Sequence, residues 1–408
     1  MKCGLLGEKL GHSYSPQIHN ALADYAYSLF EVEKGDLESF LKYGDFSGIN
    51  VTIPYKKAVI PYLSELSPIA EKLGSVNTIV RKEDGQLVGH NTDYFGFKTM
   101  VSRSGIDPSG KKALVLGSGG ASNTVVAVLE EMGAEVVVIS RSGANNYGNL
   151  HLHQDAAILV NTTPVGMYPN VGISPVSLSL FPRLEGVLDI IFNPARTQLL
   201  LDAKERSIPN MNGLLMLVAQ AKESAEWFTG TAIDDRRIDI IHRKLKAETE
   251  NILLIGMPGC GKSTIGKLLA AALNRPFVDA DTRIVEAAGM DIPSIFTKYG
   301  ENRFREIETD VLRQLGKGSG QVIATGGGCV TRGINYGPMH QNGKIIWIRR
   351  SIDVLPTEGR PLSQASDLQT MYTHRKPLYE AFSDIIIDND SNPEDAVAKI
   401  LSQLEDAE

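Results

Sequence analysis

A chain of 408 residues is too long for one hydrophobic core, so two or three domains are expected. With 42% hydrophobic and 22% charged residues it has the make-up of a folded globular protein, neither disordered nor fibrous. A net charge of -7 argues against a general nucleic-acid binder, which would carry a basic face. Three scattered cysteines (Cys3, Cys260, Cys329) have no metal-ligand spacing and suggest a reducing compartment without a disulfide framework. The first residues break off before a secretory apolar core forms, and no apolar run reaches membrane-spanning length. A cytoplasmic enzyme of small molecules, with no nucleic-acid or membrane partner, is the expectation; a homodimer is left open.

Short apolar runs alternate with helix-period stretches along the whole chain, which is the α/β pattern. Near the start, His12-Ser13-Tyr14-Ser15-Pro16 puts two hydroxyls on a loop before a helix. Asn50-Val51-Thr52-Ile53-Pro54-Tyr55-Lys56 ends a strand in a polar, lysine-bearing turn. Gly74-Ser75-Val76-Asn77-Thr78 and Gly89-His90-Asn91-Thr92-Asp93 follow. Any one of these reads equally well as turn or cap chemistry. Four of them within a hundred residues read as a polar site.

Buried parallel strands are predicted at Leu114 to Leu116, Val136 to Ile139, Ile158 to Val160 and Val187 to Ile191. The first runs into Gly117-Ser118-Gly119-Gly120-Ala121-Ser122 and an apolar helix from Thr124 to Met132. Gly117 permits the tight turn, and Gly119 lets backbone approach a pyrophosphate seated on the helix N-terminus. Ser122 stands where the usual dinucleotide fingerprint has a third glycine. After the next strand comes Ser140-Arg141-Ser142, where an enzyme using NAD would have an acidic residue. A guanidinium between hydroxyls suits a 2′-phosphate, so NADP is favoured.

The charged stretch Arg236 to Glu250 marks the main boundary, near residues 247–251. Beyond it the strand Ile252 to Ile255 leads into Gly256-Met257-Pro258-Gly259-Cys260-Gly261-Lys262-Ser263 and a helix from Thr264. Strand, glycine loop and helix in that order make a nucleoside-triphosphate site. Backbone N–H groups cradle the phosphates, Lys262 reaches their outer oxygens, and Ser263 ligates Mg²⁺. Phe277-Val278-Asp279-Ala280-Asp281 is read as a strand carrying two carboxylates on one face. Glu301 and Glu308, flanking Arg305, are read as surface partners of a helix.

Residues 1 to about 245 closely resemble shikimate dehydrogenase. The resemblance rests on the two-serine loop, Asn-Val-Thr-x-Pro-x-Lys, Asn-Thr-Asp, Gly-x-Gly-Gly-Ala-Ser, Asn161-Thr162-Thr163-Pro164-Val165-Gly166-Met167 and Asn212-Gly213-Leu214-Leu215-Met216-Leu217-Val218-Ala219-Gln220. It implies that Ser13, Ser15, Thr52, Asn77, Asn91 and Gln220 hold the substrate and that Lys56 and Asp93 are the catalytic pair. Gly117, Ser118, Gly119, Gly120, Ala121, Ser140 and Arg141 would bind NADP(H). The family often has Tyr in Asp-x-x-Tyr-Asn-Pro, whereas Phe192 stands here.

Residues 251–408 resemble shikimate kinase. This implies that Gly259, Cys260, Gly261, Lys262, Ser263, Thr264 and Arg360 bind ATP, and that Ser263 and Asp279 attend Mg²⁺. Lys262 and Asp281 would be catalytic. Asp281, Arg305, Gly326, Gly327, Gly328 and Arg375 would hold shikimate. The lid around Arg360 looks short and poor in basic residues. The implied architecture is a two-lobed dehydrogenase followed by a P-loop kinase domain with a parallel sheet. The lobes would be residues 1–95 plus 212–247 and a Rossmann-like NADP-binding lobe over 96–211, with the kinase at 251–408. The two resemblances name consecutive reactions: 3-dehydroshikimate to shikimate, then shikimate to 3-phosphoshikimate. The alternative is a dehydrogenase that also takes quinate, joined to a weakly active or regulatory module that binds nucleotide or shikimate.

Overall fold

The computed structural model describes residues 1–11, 13–355 and 368–406. His12 and Arg360, both singled out above, lie outside the described residues. The chain divides into two compact units: Met1–Phe192 with Asp202–Lys244, and Asn193–Leu201 with the chain from Leu245 onward.

The first unit contains two sheets. One has the order β2-β1-β3-β5-β6-β4, with β1 (Lys2–Gly7), β2 (Ala26–Glu31), β3 (Gly48–Val51), β4 (Glu65–Leu66), β5 (Thr78–Arg81) and β6 (Leu87–His90). Its pairs are parallel except β3 with β5 and β5 with β6. Leu6, Ile49, Val51, Ile79 and Leu87 build its core with Leu37, Leu41 and Phe46. The reversal at β5 has a consequence for the site. The ends of β1, β3 and β6 and the start of β5 all meet at one edge of the sheet.

The other sheet is parallel, with the order β11-β10-β9-β7-β8, from β7 (Lys112–Leu116), β8 (Glu135–Ile139), β9 (Ile158–Asn161), β10 (Gly186–Asp189) and β11 (Asn210–Met211). Ala113, Val115, Ile158, Val160 and Leu188 are buried at its centre, as the unbroken apolar runs predict. The chain reverses direction across the sheet between β7 and β9, and such switch points are where ligands bind in open α/β sheets.

The second unit has one parallel sheet, β13-β14-β12-β15-β16, from β12 (Asn251–Ile255), β13 (Phe277–Asp279), β14 (Val322–Ala324), β15 (Gly343–Arg349) and β16 (Ile385–Asp388). β12 is central and wholly buried, and the P-loop leaves its end. Segment Asn193–Leu201 belongs to this unit through Arg196, whose guanidinium donates to the His340 and Gly343 carbonyls at 2.8 and 3.0 Å and pairs with Glu250 at 2.6 Å. No described helix is long and apolar enough to cross a membrane.

Candidate functional sites

In the first unit, the sheet edge collects the polar segments. Lys56 Nζ lies 2.6 Å from Asp93 Oδ2, with the side chains only 25% and 14% exposed. Asp93 opens the helix Asp93–Ser104 directly after β6, and Lys56 follows β3. The Val76 N–H donates to the Lys56 carbonyl at 2.8 Å, which ties the lysine turn to the strand beside it. Ser13 Oγ donates to Ser15 Oγ at 3.1 Å, and the Ser15 N–H donates back to Ser13 at 3.2 Å. The Thr52 N–H donates to the Leu6 carbonyl, so Thr52 sits beside the end of β1.

Behind these groups runs a buried lattice of hydrogen bonds. Tyr27 donates its hydroxyl to Asn50 Oδ1 at 2.8 Å, and burial holds that phenol well above its ordinary pKa. The Asn50 amide donates to Thr78 Oγ1 at 3.1 Å and to Ser224 Oγ at 2.8 Å. Ser224 Oγ lies 2.9 Å from both Thr78 and Thr92 hydroxyls and donates to the Gln220 carbonyl. Asn77 accepts the Thr92 N–H at 2.7 Å and donates to Thr92 Oγ1 at 3.1 Å. Gln220 Oε1 accepts from Thr92 at 3.4 Å, and its amide donates to the Leu217 carbonyl. Asn91 donates to the Ser75 carbonyl at 2.9 Å, leaving Oδ1 buried with no partner. The lattice therefore joins Asn77 and Gln220, while Ser224, Thr78 and Asn50 are members that sequence reasoning did not assign to substrate. Ser224 is invisible there because it sits mid-helix among residues that read as ordinary helix formers.

At the β7–β9 switch point, Gly117 has φ +106°, and a Cβ there would stand 2.8 Å from Thr162 Oγ1. Gly117 is needed for this close approach of loops. Gly119 and Gly120 face open space. The helix Gly120–Glu131 starts at Gly119 with no side-chain cap, so its first N–H groups are left for an anion. Bare glycine backbone and an uncapped helix start fit a dinucleotide pyrophosphate. Asn161 donates to Asp189 at 3.1 Å and accepts from Thr163, pinning the two neighbouring loops together. Ser140 Oγ accepts the Gly143 N–H at 2.9 Å, which leaves its own O–H free to donate, and Arg141 is exposed. Phe192 packs against Tyr14, ring centroids 5.8 Å apart.

The second unit holds a cavity of about 630 Å³, lined by the P-loop, Asp279, Asp281, Phe296, Phe304, Arg305, Glu308, Gly326 to Gly328, Arg350 and Arg375. Gly256, Gly259 and Gly261 all have positive φ, which winds the loop around a phosphate-sized space. Lys262 Nζ donates to the Gly256 and Met257 carbonyls at 2.9 and 3.0 Å. Cys260 is buried inside the loop. Ser263 Oγ donates to Asp279 Oδ2 at 2.8 Å; a hydroxyl and a carboxylate together are a donor set that fits Mg²⁺.

Two expectations change. Asp281 is not on a strand: β13 stops at Asp279, which caps the helix Ala280–Ala288 by accepting the Asp281 N–H. The carboxylates are set by a helix start rather than by strand alternation. Glu308, expected on a helix surface, is 1% exposed and pairs with Arg305 at 2.7 Å, while Glu301 remains half in solvent. Burial, and then Asp279, push the Asp281 carboxyl above the usual range, and burial does the same to Glu308 against the pull of Arg305. Asp281 Oδ1 and Glu308 Oε1 are both shut off from solvent without partners. Both lie 2.9 Å from where a Gly326 Cβ would stand. A Cβ on Gly328 would overlap the Arg305 guanidinium. Arg375, 7% exposed, donates to the Gly327 carbonyl at 3.2 Å.

Comparison with known proteins finds a family match in each part of the chain. A family model described as shikimate dehydrogenase substrate binding domain matches residues 5–79, and one described as shikimate kinase matches residues 258–405. A Clostridium perfringens protein named shikimate dehydrogenase (NADP(+)) is 39% identical over 266 residues, covering 60% of this chain and 97% of that protein. The solved shikimate dehydrogenase 1 of Peptoclostridium difficile is similar at 39% identity and TM-score 0.56, over 60% of this chain and 97% of its own. The shikimate 5-dehydrogenase of Thermus thermophilus, solved with NADP(H) and shikimate, is 31% identical with TM-score 0.55, over 60% of this chain and 99% of its own. The chain therefore belongs to the shikimate dehydrogenase family through its first part and continues into a shikimate kinase domain.

Proposed function

We propose that the chain performs two consecutive reactions on one ring acid: reduction of 3-dehydroshikimate to shikimate with NADPH, then phosphorylation of the shikimate 3-hydroxyl with MgATP. The nicotinamide cofactor, when bound, supplies the hydride to the carbonyl carbon. Lys56 delivers a proton to the carbonyl oxygen as negative charge develops, so that an alcohol rather than an alkoxide results. Asp93, 2.6 Å away, orients the ammonium and a ring hydroxyl. The Ser13–Ser15 loop, Thr52, Asn77, Asn91 and Gln220 supply hydroxyl and carboxylate contacts, and the unpartnered Asn91 Oδ1 suits a donating ring hydroxyl. Arg141 takes the 2′-phosphate.

In the second unit, Arg305 and Arg375 bracket the substrate carboxylate, where fork geometry fixes orientation as well as charge. Asp281 accepts the hydroxyl that attacks the γ-phosphorus, and its orphaned oxygen supports that role. Lys262 leaves its loop carbonyls for the phosphate oxygens. Ser263 and Asp279 hold Mg²⁺ with its waters. Retention of Lys262, Asp281, Arg305 and Arg375 around one cavity speaks against a merely regulatory module. The paired serines favour shikimate over quinate, and a substrate panel tests this.

The observation that carries the reading is the Lys56–Asp93 pair standing at the same sheet edge as the hydroxyl lattice. Lys56→Ala is expected to slow NADPH oxidation by about 10²- to 10⁴-fold. Phosphorylation of added shikimate should be untouched. Persistence of native NADPH oxidation in that variant would remove Lys56 from the chemistry.

A further inference from the structure

Among the described residues, four cations line the cavity of the second unit: Lys262, Arg305, Arg350 and Arg375. Three of them have acceptors. Lys262 donates to two loop carbonyls, Arg305 to Glu301 and Glu308, and Arg375 to Gly327. Arg350 has no acceptor among the described residues, and its Nε is closed off from solvent without a partner. A buried donor left unmade destabilises the fold, and a charged one does so more strongly. Nothing in the described protein offsets that cost.

The chain aims Arg350 deliberately. It follows Arg349 at the end of β15, and strand alternation sends consecutive side chains to opposite faces. Arg349 turns to Asp388 at the end of β16, with a 2.7 Å contact from Nη2 to Oδ2. Asn389 fixes this turn against the phosphate loop. Its N–H donates to the Arg349 carbonyl at 2.8 Å, and its side-chain amide donates to the Cys260 carbonyl at 2.8 Å. The Ile348 carbonyl packs so closely on Gly256 that a side chain there would strike it. Arg350 therefore follows directly on a segment held against the phosphate loop at Gly256 and, through Asn389, at Cys260.

We infer that Arg350 is a nucleotide-phosphate ligand of the kinase site, resting on the kinase reading above. Its guanidinium supplies positive charge that residues 356–367 lack, since Arg360 is their one basic residue. Arg305 and Arg375 are left for the ring carboxylate.

The test is calorimetric titration of MgADP into the full-length chain, with Lys262→Ala defining heat from binding elsewhere. Arg350→Met should weaken MgADP by about 10- to 100-fold. Arg350→Lys, which keeps a charge but loses the fork, should fall between. The KM for shikimate in the kinase assay should stay within about twofold, and NADPH oxidation should remain native as a check on folding. Native MgADP affinity in Arg350→Met would overturn the inference, as would a loss that appears in shikimate KM instead. No MgADP binding by the native chain above the Lys262→Ala background would overturn the kinase reading itself, and Arg350's part with it.

Discussion

Gly328 shows how a residue without a side chain can set the position of one with a long one. The family resemblance gives Gly326 to Gly328 to the substrate, yet each glycine also yields space to the protein's own groups. Gly326 admits Asp281 and Glu308, Gly327 admits Pro258, and Gly328 admits the Arg305 guanidinium. Gly328 has φ -105°, so alanine there brings no backbone strain and acts only by displacing Arg305. Gly328→Ala should raise the KM for shikimate in phosphorylation by roughly tenfold or more, because a charged hydrogen bond is lost. Dehydrogenase rates should not change; steady-state kinetics on both activities check this. Glu308 illustrates what sequence hides at this scale. An Arg–Glu pair three residues apart on a helix looks identical whether the helix face meets water or a cavity wall. Arg350 is the same case, one of two adjacent arginines whose fates diverge only in three dimensions.

Secondary-structure elements were legible where composition was extreme. β7, β9 and β12 are unbroken apolar runs ending in glycine or a polar turn, and each appears within a residue or two of its expected place. Asp281 was misread because Phe-Val-Asp-Ala-Asp continues strand spacing past the point where Asp279 caps a helix. The hydroxyl lattice of the first unit escaped sequence reading for another reason. Its members come from β3, β5, the turn before Asp93 and the helix Leu214–Thr229, with Asn50 and Ser224 174 residues apart. These hydroxyls and amides are buried against one another, so deletion of one hydroxyl leaves others unsatisfied. Thr78→Val keeps volume but takes one hydrogen-bond partner each from Asn50 and Ser224, and should lower dehydrogenase kcat/KM roughly tenfold at a cost of about 1–3 kcal/mol in stability. Thr78→Ser should restore activity toward native. NADPH oxidation and thermal melting of both variants check the claim, with the kinase rate as internal control.

At the scale of the whole molecule, two nucleotide-binding folds in one chain were readable from two glycine loops in strand–loop–helix context. The kinase family match and the solved dehydrogenases similar to the first part bear out both. The division of the chain was less readable, because Asn193–Leu201 joins the second unit by contacts of Arg196 made far along the sequence. The central claim is that one ring acid is product of the first site and substrate of the second. The direct measurement supplies the purified chain with 3-dehydroshikimate, NADPH and MgATP, and follows NADPH, ADP and the ring products together. The account predicts that shikimate 3-phosphate forms with equal amounts of NADPH oxidised and ADP released. NADPH consumption with shikimate accumulating beside untouched ATP would contradict it.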